Sequence, residues 1–212
     1  MMPFLFFGAA ACALAYLPRT ARPASLLRTV LKTGSVALLA LIAWQSGAPL
    51  LLTGALGLCA LGDALLSRET DSTFMAGIGA FAAGHIAYIA LFLSHPASDP
   101  ARIATQPGVV VALVLLGVVM AILLAPRAGE LRGPVLAYIP IILGMGITVL
   151  ALPKDSPLDW AFPAALAFIA SDLILAAEKF LLPYGHPALR LTPYLIWTLY
   201  WGAQAGLLLA FS

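Results

Sequence analysis

The chain has 212 residues, of which 62% are hydrophobic and 9% charged, and a net charge of +2. A soluble domain carries about 25% charged residues, so this chain cannot cover a water-facing surface and reads as an integral membrane protein. The small net charge, with no basic run interleaved with aromatics, argues against a nucleic-acid partner.

A spanning helix needs about 20 mostly apolar residues. Eight segments qualify, over about 2–17, 30–46, 49–66, 73–94, 107–125, 134–152, 160–182 and 189–211. The first has no basic residue before Phe4. It lacks the charged start of a cleaved signal despite Ala11-Cys12-Ala13, and is read as a retained span. Cys12 and Cys59 both lie in apolar segments and read as small packing residues, not as a disulfide or a metal pair. Proline, glycine and charge mark the connections at Pro18 to Pro23, Gly47 to Pro49, Ser67 to Ser72, Pro96 to Pro107, Pro126 to Pro134, Pro153 to Pro157 and Pro183 to Pro187. They are short, so sequential helices are expected to pack as antiparallel neighbours. Residues 1–212 form a single transmembrane helical domain, all-α and polytopic.

Basic residues orient the spans. Arg19, Arg22, Arg28, Lys32, Arg68, Arg127, Arg132, Lys179 and Arg190 fall at connections that follow odd-numbered spans, and only Arg102 and Lys154 fall at the others. The positive-inside rule then makes the odd-to-even connections cytoplasmic and puts both termini on the non-cytoplasmic side. The inner membrane of a bacterium is the expected location.

Two acids interrupt the apolar runs. Asp172 sits in Ala170-Ser171-Asp172-Leu173-Ile174-Leu175, and Asp63 in Gly62-Asp63-Ala64-Leu65-Leu66. An acid near the centre of a spanning helix costs on the order of 3 kcal/mol to insert, so it normally faces the bundle interior and has a task. At 1.5 Å per residue, Asp63 lies roughly 5 Å and Asp172 roughly 15 Å from the cytoplasmic ends of their spans. Lys32 starts the second span at the same side, as Tyr138 starts the sixth. His85 and Tyr88 lie near the middle of the fourth, and Tyr194, Tyr200 and Gln204 climb the eighth. One polar cavity open to the inner leaflet is expected. The two acidic elements lie 109 residues apart, about half the chain. That fits two parallel four-helix repeats about an axis along the membrane normal, or a chance match between leucine-rich helices.

Each polar residue also has a plainer reading. Asp63 could be a solvated helix end paired with Arg68. Ser171 could be a small helix-packing residue. Glu178 and Lys179 read as rim residues that snorkel. Lys32 reads either as a positive-inside anchor or as a point charge for a phosphate. His85 could be a hydrogen-bonded core histidine, and Tyr138, Tyr200 and Gln204 interhelical bonding partners. No Gly-x-Ser-x-Gly elbow and no His-Glu-x-x-His motif is present, so serine lipase and zinc chemistry are unsupported. A carboxylate pair remains, with Tyr, His and Lys nearby.

Lys32, Gly62-Asp63, Phe81-Ala-Ala-Gly84-His85-Ile-Ala-Tyr88, Tyr138 with Met145, Phe168-Ile-Ala-Ser171-Asp172 and Tyr200-Trp-Gly-Ala-Gln204 occur in that order. Together they resemble the lysoplasmalogenase (YhhN-like) family of eight-span membrane proteins, over nearly the whole chain. Trp201 stands where relatives often carry another aromatic or an aliphatic residue. The resemblance implies hydrolysis of the vinyl-ether bond of a lysoplasmalogen to a fatty aldehyde and a glycerophospho-ethanolamine or -choline. The implied partners are a lysophospholipid substrate and membrane lipid; no cofactor, metal or protein partner is indicated.

Vinyl ethers resist bases but yield to acid. The difficult step is protonation of the carbon beta to oxygen, which creates an oxocarbenium ion. Glycosidases pass a related state between two carboxyls. Asp172, the deeper acid, is the expected proton donor, and Asp63 the base and electrostatic stabiliser, although the pair can titrate as a unit. Tyr138, Tyr200, His85, Gln204 and Ser171 are expected around substrate and water, and Lys32 at the headgroup phosphate. Two other classes fit the same residues: a small proton-coupled transporter, because intramembrane acids also relay protons, and a lipid-binding protein without chemistry.

Overall fold

The computed structural model describes residues 2–68, 70–154 and 156–212. Among them, eight long helices account for the expected segments: α1 Met2–Tyr16, α2 Leu26–Gln45, α3 Leu50–Leu66, α4 Asp71–Ser94, α5 Pro107–Leu124, α6 Arg132–Thr148, α7 Ala161–Phe180 and α8 Thr192–Phe211. Single helical turns lie between some of them, and no strand occurs among the described residues. Six helices are long and apolar enough to cross a membrane: α2, α4 and α5, α6 and α7 with their flanking turns, and α8. The other two, α1 at 15 residues and α3 at 17, are shorter apolar helices. At 1.5 Å per residue α3 reaches about 25 Å, a little less than the hydrocarbon thickness of about 30 Å.

Local chemistry sets the boundaries. α2 starts four residues earlier than its apolar run, because Ser25 caps it by accepting a hydrogen bond from the Arg28 N–H at 3.2 Å. Lys32 therefore sits nearly two turns inside α2 and not at its start. Gly47, at φ +72°, ends α2 in the left-handed conformation that glycine adopts without penalty. Thr70 and Thr73 form a reciprocal capping box at the start of α4.

Packing follows chain order with one exception. α1, α2, α3 and α4 pack in sequence, as do α5, α6, α7 and α8, but α4 lies against α6 instead of α5. The cause is the α4–α5 connection. Its Asp99 N–H donates to the Ala151 carbonyl at 2.9 Å, and Arg102 Nη1 donates to the same oxygen at 3.0 Å. These bonds carry the chain across the end of α6 before α5 begins, so the expectation that every sequential pair are neighbours fails here. α5 is left on the outside, the most apolar and least buried of the six long spans. Its exposed Val111, Val114, Leu115, Val118 and Ile122 suit a lipid-facing helix. α8 closes the bundle against α2 and α3.

Candidate functional site

A cavity of about 280 Å³ opens at the end of the bundle that carries the odd-to-even connections, and all eight helices or their ends contribute to its wall. Lys32, Asp63, Tyr138, Ser171, Asp172 and Tyr200 line it; His85 and Gln204 do not. The two aspartates thus come from α3 and α7 to one space.

Asp63 is fully buried, although it lies only three residues from the end of α3. Tyr200 donates its hydroxyl to Asp63 Oδ2 at 2.7 Å, and Lys32 Nζ lies 3.1 Å from Oδ1. The partner of Asp63 is therefore Lys32 from α2, not a solvated Arg68. Lys32 in turn, expected beside a phosphate, has its ammonium on a carboxylate. Gly62 explains how α3 comes so close to α4: a Cβ there would lie 2.6 Å from the Phe81 ring. That ring packs edge-on against Tyr200 at 5.7 Å and Phe168 at 6.5 Å, so it cannot retreat without moving the partner of Asp63.

Asp172 has a different environment. Tyr138 donates its hydroxyl to Oδ2, and the side chain is half-buried against the cavity. Its neighbour Ser171 donates to the Ile196 carbonyl at 3.0 Å and ties α7 to α8. Ser171, read from the sequence as a small helix-packing residue, thus also bonds across the α7–α8 contact, and it touches the cavity.

His85 and Gln204 lie behind the wall. His85 is fully buried, with Nδ1 2.6 Å from the Phe81 carbonyl. Its ring contacts Phe168 at 4.5 Å and Tyr138 at 5.5 Å, edge to face. It thereby supports the ring whose hydroxyl reaches Asp172. Gln204 Oε1 accepts from the Tyr88 hydroxyl at 2.6 Å, joining α8 to α4. Trp197 donates to the Ala13 carbonyl at 3.0 Å and packs on Tyr16 at 4.4 Å, which fixes α1 beside the cavity.

The cavity is amphipathic. Its polar part holds the two acids and, toward the open end, Arg28, Glu178 and Lys179. Its apolar part is built by Leu116, Met120 and Leu124 of α5, Ile139 and Leu143 of α6, and Leu173 and Phe180 of α7. Sequence reasoning missed Arg28 and treated Glu178 and Lys179 as rim residues. Helical spacing was the usable signal: Arg28 lies one turn from Lys32, and Lys179 two turns from Asp172 on the same face.

Fold and site together define a class: an integral membrane protein whose helices enclose an amphipathic cavity with two acids in its wall. The chain belongs to the YhhN family, whose model matches residues 27–211. It is similar to human Lysoplasmalogenase TMEM86A, with 32% identity over 143 residues that cover 64% of this chain and 57% of that protein. It is similar to human Lysoplasmalogenase TMEM86B, with 32% identity over 155 residues covering 73% of this chain and 60% of that protein. The matches thus span only 57–60% of the length of these curated relatives. No solved structure matches the chain.

Proposed function

We propose that this chain hydrolyses the vinyl-ether bond of lysoplasmalogens. The observation that carries this reading is the placement of Asp63 and Asp172 in the wall of one cavity that is polar at its open end and apolar along α5, α6 and α7. A single-chain ether lipid has the same division. The named activity of the two similar human proteins supports the same substrate class.

In this reading Asp172 delivers its proton to the carbon beta to the ether oxygen, and the double bond becomes an oxocarbenium ion. Asp63, beside the Lys32 ammonium and the Tyr200 hydroxyl, suits the charged partner: it faces the cation and takes a proton from the water that adds to it. The hemiacetal then collapses to a fatty aldehyde and the glycerophospho-alcohol, its hydroxyl proton ending on the leaving oxygen, and the proton held by Asp63 returns through water to Asp172, which restores both acids. Tyr138 holds Asp172 in place, and His85 holds Tyr138. Positioned proton transfer of this kind contributes typically 10²- to 10⁴-fold in rate. The basic residues at the open end favour a cytoplasmic mouth and non-cytoplasmic termini, in a bacterial inner membrane that all eight helices cross. The packing of α4 on α6 and of α8 on α2 fits two parallel four-helix repeats.

The test is aldehyde release by the purified protein from lysoplasmenyl-ethanolamine, with an ester lysolipid of the same chain length as control. Aldehyde from the vinyl ether alone is expected, and none from Asp172→Asn. A wild-type protein that releases no aldehyde, or a D172N protein that matches wild type, refutes the reading.

A further inference from the structure

Three charged residues of the cavity wall have no part in the proton chemistry. Arg28, Glu178 and Lys179 line its open end. Lys179 Nζ sits 4.8 Å from the centroid of the Phe74 ring, which lines the same cavity. Arg28 Nη2 donates to the Thr20 carbonyl at 3.1 Å, and Thr20 lines the cavity too. Glu178 accepts a hydrogen bond from the Thr192 hydroxyl, a neutral donor. Lys32, the remaining cation in the wall, is engaged by Asp63 at 3.1 Å.

We propose that these residues read a zwitterionic headgroup: Glu178 takes the ammonium, while Lys179 and the positive wall at Arg28 take the phosphate. Glu178 is then the residue that determines headgroup specificity. This rests on the lysolipid reading of the cavity.

The spacing along the helices fits the ligand. Arg28 lies four residues outward from Lys32, about 6 Å along α2, and Glu178 six residues outward from Asp172, about 9 Å along α7. In a lysoplasmalogen five bonds separate the ether oxygen from phosphorus, an extended reach of roughly 6 Å at about 1.5 Å per bond. Four more bonds lead to the nitrogen, roughly 11 Å from the ether oxygen in all. With the vinyl ether between the aspartates, the phosphate reaches the level of Arg28 and the ammonium the level of Glu178. A lysolipid with a glycerol headgroup offers no ammonium and leaves Glu178 facing the negative phosphate without a counter-ion. The site therefore selects by repulsion as well as attraction.

Saturated alkyl-ether lysolipids test this, because they carry the headgroup but no bond to cleave. Their binding to the detergent-purified chain is measured with ethanolamine and with glycerol headgroups. Wild type is expected to prefer ethanolamine about tenfold, the scale of one charge-assisted contact. Glu178→Gln should abolish the preference and keep affinity for the glycerol form within about twofold. Lys179→Gln should weaken both ligands alike. Thr192→Val removes the hydroxyl contact but keeps the carboxylate, and should retain the preference. No preference in wild type, an undiminished preference in E178Q, or equal loss in T192V and E178Q overturns the proposal. The latter result would assign Glu178 to helix packing. Because no bond is cleaved, a retained headgroup preference in a protein that releases no aldehyde would refute the catalytic reading alone.

Discussion

Replacing Lys32 by Met leaves the Asp63 carboxylate buried without its cation. At 3.1 Å and an effective dielectric of 20, the gross attraction is about 5 kcal/mol. Lys32 keeps 17% of its side chain exposed, whereas Asp63 keeps 1%, so the loss falls mainly on the acid. Removing one partner of a buried pair costs about 3–5 kcal/mol, while replacing both with neutral groups is close to neutral. At roughly 2–4 °C per kcal/mol for a chain of this size, Lys32→Met should lower the unfolding midpoint in detergent by roughly 6–20 °C. The double variant Lys32→Met with Asp63→Asn should recover most of that loss, because Tyr200 can still bond the amide. The assay is thermal unfolding followed by circular dichroism and by size-exclusion profile after heating. A single variant within 2 °C of wild type, or a double variant no more stable than the single, would refute the account of Asp63 as a buried charge held by Lys32.

Other predictions follow from the same geometry. Asp172→Asn should lower aldehyde release at least about 100-fold with an unfolding midpoint close to wild type; a normal rate would remove Asp172 from the chemistry. Tyr138→Phe deletes the hydroxyl that bonds Asp172, and a charged hydrogen bond is worth about 1.5–3 kcal/mol. A drop in kcat of roughly 10- to 100-fold with little change in KM is the expected readout. Gly62→Ala places a methyl 2.6 Å from the Phe81 ring, and overpacking of this kind costs about 1–3 kcal/mol, visible as a lower unfolding midpoint. Met120→Trp narrows the apolar part of the cavity, so KM should rise more for long-chain than for short-chain lysoplasmalogens; equal effects on both would place the tail elsewhere.

The two aspartates were legible because a carboxylate in an apolar run is costly enough to demand an explanation. Their partners were only partly so. Tyr138 and Tyr200 could be assigned to the same side as the acids, but which tyrosine meets which aspartate depends on helix rotation, which hydropathy does not encode. Lys32 was assigned to the headgroup because its apolar run begins at Val30. The Ser25 cap starts the helix earlier, so Lys32 lies within it, and its ammonium meets Asp63. Glu178 and Lys179 look like ordinary span-end charges, since anchors and ligand contacts share the same composition. The displacement of α5 was hidden for another reason: it comes from two bonds to one carbonyl, that of Ala151, far away in the chain. His85 and Gln204 were expected around the substrate, yet they bond within the bundle and do not line the cavity.

Below the acids the bundle is filled with rings. Phe81, His85, Phe168 and Tyr200 contact one another edge to face. Further along, Tyr88 stacks on Phe92 and Phe92 on Phe211. Such a column packs the bundle interior on the side of the acids away from the open end of the cavity. In the proposed reaction the protons that Asp63 and Asp172 give and take would be exchanged through the open end of the cavity, on one face of the membrane.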